Sequence, residues 1–493
     1  MTKLERTWLV AILLLSALLG FWGLTSGHNW AYSDFSAYIM QAESILQSDL
    51  AGFIAHNSIT IFESDLPVGP IAYPWGYPLL LAPIIALMGI STLSMKLLNT
   101  LLYCLFLATL FFLFRKRLPR FESFALLAIF AFNPIFLQAQ DYILSDLAFL
   151  FFSTFAIFFM DRLDAPSAPE KSTNLQRILV GGAIFVAFLT RTNGLLLLPS
   201  LVVYEIFSLV KRRQNFKQVK EYLPSSLISP LIFLGLWGLS SLFLPDGQAS
   251  HLAQYENFHF SQLWDFLIFY AKLGVAFFAE IPGALFLYFI FIIFFFVGII
   301  FKFKENFLFL LYFFSTLLAY LSWPHLQGIR FLFPILPIFI YVAAQGVRKV
   351  LSQTSGSSAE FLEVIYRGVL VYAALTMLFF SAQQALNNLA NDRAIHGPFD
   401  EVSIDIFEYI KKTIPEDSRV IFFKPRVMRL MTERDSILVL ACENLTNGDY
   451  VVVNKKWEDM GQIAPEKITA CPVPLTALYK NRRFILYEIG DLP

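Results

Sequence analysis

Eleven apolar runs of membrane-spanning length constrain this chain more than any other feature. The first is 8-WLVAILLLSALLGFWGLTSG-27, and the others lie near 95–114, 122–139, 143–160, 177–191, 193–210, 224–244, 284–301, 306–322, 329–346 and 366–383. A helix rises ~1.5 Å per residue, so about twenty residues cross a hydrocarbon core of ~30 Å. Inside lipid each segment must satisfy its own backbone polar groups, which forces such runs into helices. Composition agrees, because 57% of residues are hydrophobic, only 15% are charged, and 54 are Phe. The expected fold is an α-helical polytopic membrane protein with about 11 transmembrane helices. No small-x-small cleavage site follows the first run, which reads as a retained span.

A twelfth segment, 77-YPLLLAPIIALMGIST-92, is apolar but carries Pro78 and Pro83. Its sixteen residues reach only ~24 Å, short of the core, so it reads as a re-entrant or interfacial helix. Charge supports that choice, since Lys and Arg near short loops mark the cytoplasmic side. With 77–92 not crossing, one face collects nineteen basic residues. They are Lys3, Arg6, Arg115, Lys116, Arg117, Arg120, Arg162, Lys171, Arg177, Lys211, Arg212, Arg213, Lys217, Lys220, Lys302, Lys304, Arg348, Lys349 and Arg367. The other face, up to the last span, keeps only Lys96, Arg191, Lys272 and Arg330. The N-terminus is therefore expected in the cytoplasm, with everything beyond residue 390 outside it.

The formal net charge is zero, which gives no case for nucleic acid as a partner. Polar chemistry gathers instead on the outer face. Loop 28–76 has no Lys or Arg but holds Asp34, Glu43, Asp49, Glu63 and Asp65, and the turn 138-QAQDYILSD-146 adds Asp141 and Asp146. Also outside are 245-PDGQASHLAQYENFHFSQLWDF-266 and 323-WPHLQGIR-330. Asp34, in 29-NWAYSDFSAYIMQAESI-45, has no Lys or Arg within twenty positions on either side. It is expected to stand unpaired, sharing a helix face with Tyr38 four residues on. The bland alternative is a helix cap, since Ser33 and Asp34 precede a helical pattern.

Beyond 390 charged residues return. Ile404, Ile406, Phe407, Ile410 and Ile414 fall at helical spacing within 402–414, and β-rich runs follow at 420–423, 436–440, 450–453 and 484–489. A membrane domain over 1–390 and a small extracytoplasmic α/β domain over 391–493 are expected. Cys442 and Cys471 fall in that domain and can pair in an oxidising compartment, whereas Cys104 sits in an apolar run. Lys424, Pro425 and Arg426 read as a solvated turn, with an anion-facing role as the alternative. No His or Cys spacing marks a metal site, and no cofactor is implied.

The order of these features resembles a known superfamily. A first span, an outer loop with Asp34 and Tyr38, then 72-AYPWGYPLLLAP-83, DYILSD at 141–146, LTRTNGLLLLP at 189–199 and GIRFLFPILP at 328–337 are similar to GT-C glycosyltransferases. Within that class the chain is most similar to the protein O-mannosyltransferase and lipid A aminoarabinose transferase group, glycosyltransferase family 39. The resemblance implies transfer of a sugar from a polyprenyl-phosphate carrier to a hydroxyl of a lipid, glycan or protein, on the outer face of a bacterial plasma membrane. It implies Asp34 as base, with Asp146 and Asp141 as a second acidic position, each of which can equally be a helix-start carboxylate. Arg330 and then Arg191 are candidates for the leaving phosphate, and Lys272 and His325 are weaker ones. Arg330 can also simply snorkel, and His325 beside Trp323 can be an interfacial anchor. A transporter or flippase of lipid-linked sugars is the competing reading, but it calls for ionisable residues at mid-span or a two-fold repeat. A membrane scaffold is a third, and it gives Asp34 no task.

Overall fold

A computed structural model describes residues 1–66, 68–163, 170–211, 224–245, 259–456 and 461–490. The basic residues Arg212, Arg213, Lys217 and Lys220 and most of the 245–266 loop lie outside the described residues, as does the side chain of Lys171. All eleven apolar runs fold mainly as helix where described. Among the described residues, five helices are long and apolar enough to cross a membrane by length and composition, and the bent pair Arg120–Ala131 and Pro134–Gln140, at 50°, makes a sixth. Others are shorter, such as Asp146–Met160 at 15 residues.

The helix Ala284–Leu321 is a special case. At 38 residues it is about twice a span, and it leaves helical geometry at Lys302, where φ is −124°. Phe295 and Phe313 stand on either side of that break with ring centroids 5.0 Å apart. Eighteen residues of straight helix would separate them by ~27 Å, so the chain doubles back at Lys302 into a hairpin. The two runs 284–301 and 306–322 are thus separate limbs.

The helix Thr92–Phe114 is the most enclosed of the long ones, whereas Pro224–Ser241 and the first limb of the hairpin bury few of their residues; the second limb buries Leu308, Phe309, Leu310, Tyr312 and Phe313. Exposed apolar residues such as Leu285, Phe286, Phe289 and Ile300 make the surface a bilayer would cover. At one end of the bundle the basic residues are paired across helices. Glu5 meets Arg115 and Arg120, both at 3.1 Å, Arg117 meets Asp161, Arg177 meets Glu205, and Arg348 joins Glu122 to Glu363 at 2.9 Å. Charges at low exposure hold register only when both partners are present.

The opposite end carries the connection 24–75 and the C-terminal domain. The connection forms two helices, Asp34–Gln47 and Leu50–Phe62, and is followed by Gly76–Met88, a 13-residue helix with Pro83 inside it. The C-terminal domain is α/β. Its strands are β1 (Arg419–Ile421), β2 (Asp435–Ile437), β3 (Tyr450–Asn454), β4 (Leu475–Lys480) and β5 (Phe484–Ile489), arranged in the order β2-β1-β3-β5-β4. β1 runs parallel to β2 and β3, while β5 is antiparallel to β3 and β4. The helix Glu401–Thr413 packs Ile406, Phe407 and Ile410 inward and leaves Ile404 exposed. Cys442 and Cys471 are disulfide-bonded, with Cα atoms 5.3 Å apart.

The stretch 423–434 is not a solvated turn. It forms the helix Pro425–Thr432, which crosses from β1 to β2 and packs on Asp34–Gln47, and Arg426 is 3% exposed. The domain is seated by Trp30 against Phe423 and Phe484, with ring centroids 5.0 and 6.2 Å apart. Arg419 pairs with Glu63, His56 lies 3.0 Å from Asp435, and the backbone N–H of Leu440 donates to Asp65 at 2.6 Å.

Candidate active site

Segments far apart in sequence converge under the C-terminal domain. Asp34 and Tyr38 come from the helix Asp34–Gln47, and Asp146 is the first residue of its own helix. Arg191 follows the helix Glu170–Thr190, and Arg330 sits in the short 3-10 turn Ile329–Leu332. Gly76 allows the Tyr-Pro segment to approach, because a Cβ there would lie 2.6 Å from the Leu189 carbonyl. Together they line a cavity of about 310 Å³ that also receives Tyr73, Tyr320, Asn193 and His325.

Inside it acids and guanidinium groups alternate. Arg330 Nη2 lies 3.6 Å from Asp34 Oδ2, and Arg330 Nη1 lies 3.4 Å from Asp146 Oδ2. Arg191 pairs with the other oxygen of Asp146. Phe331 separates the two cations, with Arg191 4.6 Å and Arg330 5.3 Å from its ring centroid, and Tyr32 holds Arg330 from another side at 4.7 Å. Tyr32 adopts a left-handed φ of 54°, an uncommon conformation for a residue of its size, one residue before the cap position of the Asp34 helix.

Asp34 is therefore not unpaired, contrary to the sequence expectation. Absence of a nearby Lys or Arg along the chain says nothing of Arg330, which folding delivers from a distant segment. The carboxylate also accepts a hydrogen bond from the Tyr73 hydroxyl at 2.7 Å. Ser33, at the cap position, makes no side-chain cap bond, and Asp34 is engaged with side chains. Burial pushes the Tyr38 and Tyr73 phenols well up, and the Asp34 charge adds to this at both. Both hydroxyls stay protonated, and that of Tyr38 lies 2.8 Å from Ser145 Oγ.

Of the residues expected here, Asp34, Tyr38, Asp146, Arg191, Arg330 and His325 all line the cavity. Asp141 and Lys272 do not. Asp141 turns into the bundle, where it meets Lys96 Nζ at 2.7 Å and accepts from Thr25 N at 2.7 Å and from Thr25 Oγ1 at 2.8 Å. Its task is to pin the end of the first helix to the helix Thr92–Phe114. Lys272 is exposed and makes no contact with this cavity. Tyr73, Tyr320 and Asn193 were missed, although Tyr73 opens the Pro-aromatic cluster at 72–83. Among the described residues no group of three or more His, Cys, Asp or Glu could hold a metal ion.

Beside the polar cavity is an apolar one of about 270 Å³, lined by Tyr270, Tyr288, Phe295, Phe313, Leu317 and Leu332 among others. The two meet where the Tyr270 and Tyr320 rings stand 6.2 Å apart, and Tyr270 accepts from Gln327 N at 3.2 Å.

The fold is that of the GT-C glycosyltransferases. ArnT from Cupriavidus metallidurans, solved bound to undecaprenyl phosphate, matches with a TM-score of 0.61 at 13% identity, covering 98% of each chain. AglB, the archaeal oligosaccharyltransferase from Archaeoglobus fulgidus, solved with an inhibitory peptide and a dolichol-phosphate, matches with a TM-score of 0.56 at 12% identity. That match covers 100% of this chain and 75% of AglB. At these identities the likeness is one of fold. In sequence, residues 72–237 match the family model of dolichyl-phosphate-mannose-protein mannosyltransferase. No curated protein matches.

Proposed function

We propose that this chain is a membrane glycosyltransferase that moves a sugar from a polyprenyl-phosphate carrier to an acceptor hydroxyl on the outer face of the membrane, with inversion at the anomeric carbon. The observation that carries the reading is a cavity with two acids and two guanidinium groups opening beside an apolar one. A lipid-linked sugar phosphate needs that juxtaposition. Its isoprenoid tail calls for an apolar groove, its phosphate for fixed cations, and its anomeric carbon for a base on the far side. ArnT and AglB, solved with polyprenyl phosphates, have the same fold and support the assignment.

Asp34 takes the base role. The acceptor oxygen attacks the anomeric carbon, the bond from that carbon to the phosphate oxygen breaks, and the hydroxyl proton passes to the Asp34 carboxylate. The polyprenyl phosphate departs with the bonding electron pair. Arg330 and Arg191 steady the growing phosphate charge. Tyr73 holds Asp34 Oδ1, while Oδ2, 3.6 Å from Arg330 Nη2, is the oxygen that would take the proton once Arg330 turns to the phosphate. Arg330 stands 3.6 Å from Asp34 and 3.4 Å from Asp146, so it can turn toward a phosphate without losing a tight pair.

The test is transfer of radiolabelled sugar from polyprenyl-phosphate donors by the purified protein in lipid. A positioned base contributes ~10² to 10⁴ in rate, so Asp34→Asn is expected to lose that much turnover and still bind polyprenyl phosphate. Near-normal transfer by Asp34→Asn would refute the base. Movement of intact lipid-linked sugar across vesicles with no transfer to any hydroxyl would favour a flippase.

A further inference from the structure

The acids and cations of the cavity come from residues 34–330, yet Arg426 of the C-terminal domain packs behind its wall, against the lining residues Gly69, Pro70 and Tyr73. Arg426 is 3% exposed, no carboxylate among the described residues comes within ion-pair distance of it, and its Nε has no hydrogen-bond partner among them. A buried guanidinium without a counter-ion costs several kcal/mol unless its donors are used. Its partners are the Pro70 carbonyl, which accepts from Nη2, and the Tyr73 hydroxyl oxygen, 3.3 Å from Nη1. The guanidinium also lies 5.4 Å from the Tyr73 ring centroid. Gly69, at a φ of +111°, makes room for it, since a Cβ there would come within 2.8 Å of Nη1. The Tyr73 hydroxyl in turn donates to Asp34 Oδ1 at 2.7 Å.

We infer that Arg426 is a positioning residue of the active site: through the Tyr73 hydroxyl it fixes the orientation of the Asp34 carboxylate, so that the C-terminal domain completes the catalytic centre of the membrane domain. This rests on the proposed role of Asp34 as base. The oxygen of Tyr73 accepts from Arg426 while its hydrogen points at Asp34. A cation on the oxygen strengthens the donor and removes its freedom to rotate. Asp34 Oδ1 is thereby held, and Oδ2 is presented to the cavity at a set angle. The neighbouring Lys424 lies in the same field: burial lowers its pKa, and the Asp34 charge acts against that shift. The arrangement explains why the Arg426 side chain is buried with a hydroxyl and a carbonyl where a carboxylate would bind it better.

Transfer kinetics with a polyprenyl-phosphate sugar donor, together with polyprenyl phosphate binding, test this in Arg426→Gln, Arg426→Lys, Tyr73→Phe and the double variant Arg426→Gln/Tyr73→Phe. Arg426→Gln is expected to lower kcat about tenfold, leaving donor KM and lipid binding within twofold of wild type. Lysine keeps the charge but not the two-pronged donor geometry, so Arg426→Lys should recover only part of the loss. The double variant should be no slower than Tyr73→Phe alone, because both substitutions cut one chain of bonds. Multiplied losses in the double variant, or an effect on KM alone, would overturn the inference and leave Arg426 as a docking contact. If Arg426→Gln fails to form the Cys442–Cys471 disulfide, Arg426→Lys carries the test, and wild-type kcat there overturns it equally. Asp34→Asn run in parallel separates the two failures: an active Asp34→Asn refutes the base, whereas an inactive one beside a fully active Arg426→Gln refutes only the relay.

Discussion

Arg330 and Arg191 share Asp146, yet their surroundings assign them different work. Asp146 and Arg191 have side-chain exposures of 6% and 19% and form a tight pair, whereas Arg330 faces two acids from farther away. Breaking a buried pair by removing one partner costs ~3–5 kcal/mol, because the other charge is left uncompensated. Arg191→Ala leaves Asp146 only the more distant Arg330, and it is therefore expected to lower the thermal stability of the purified protein by part of that cost. Arg330→Ala should leave stability nearly intact and weaken polyprenyl phosphate binding at least tenfold, as read by a lipid-binding titration. Equal thermal losses in both variants would contradict the division of labour. At this scale the sequence disclosed the residue types and little of their pairing. The i, i+4 spacing put Asp34 and Tyr38 on one face, and both line the cavity. The partner of Asp34 lies in another span, and no local pattern carries that information.

At the scale of elements, the connection between the first helix and Asp34 is held by buried polar groups. Lys96, fully buried, donates to Thr25 O at 3.1 Å, to Thr25 Oγ1 at 2.9 Å and to Asp141 at 2.7 Å. Lys96→Met leaves Asp141 without its cation, and a loss of ~3–5 kcal/mol is expected in thermal or denaturant unfolding. Adding Asp141→Leu should restore much of it, since an apolar pair leaves no buried charge. Three residues on from Thr25, His28 stacks on Phe35 with ring centroids 4.1 Å apart and donates from Nδ1 to the Asn29 carbonyl at 2.9 Å. Burial pushes its pKa down to about 3. Below its ordinary value near 6.5 the unfolded chain takes up a proton that the folded one refuses. This stabilisation is full above that pH and falls as pH drops toward 3, so stability rises with pH across the window. From pH 7 to 5 the wild type should lose about 2 kcal/mol more than His28→Gln. Identical slopes would show that His28 charges within the fold. Helix periodicity was legible for these elements. β4 was not, because Leu475–Lys480 is half-exposed and lacks a β-branched run, and the helix Pro425–Thr432 was hidden behind Arg426, Arg429 and the preceding Lys424.

For the whole molecule, the paired basic residues at one end and the cavity beneath the C-terminal domain at the other divide the chain into two chemically distinct faces. Arg115, Arg117, Arg177 and Arg348 are each held by acids, so they add little attraction for an outside anion and serve to knit helices together. Their excess on one face still directs insertion, because orientation is set while the chain enters the membrane, before those pairs exist. The proposed reaction needs the cavity on the face away from the cytoplasm, and the Cys442–Cys471 bond needs an oxidising compartment there. Both requirements predict one arrangement. In a Cys104→Ala background, Lys412→Cys on the exposed face of the helix Glu401–Thr413 should react with an impermeant thiol reagent added to intact cells. Lys116→Cys, exposed beside the paired arginines, should react only after the membrane is opened. Labelling of Lys116→Cys alone in intact cells would invert the topology. It would place the cavity in the cytoplasm, where a structural disulfide is not maintained and an outward-facing acceptor is out of reach.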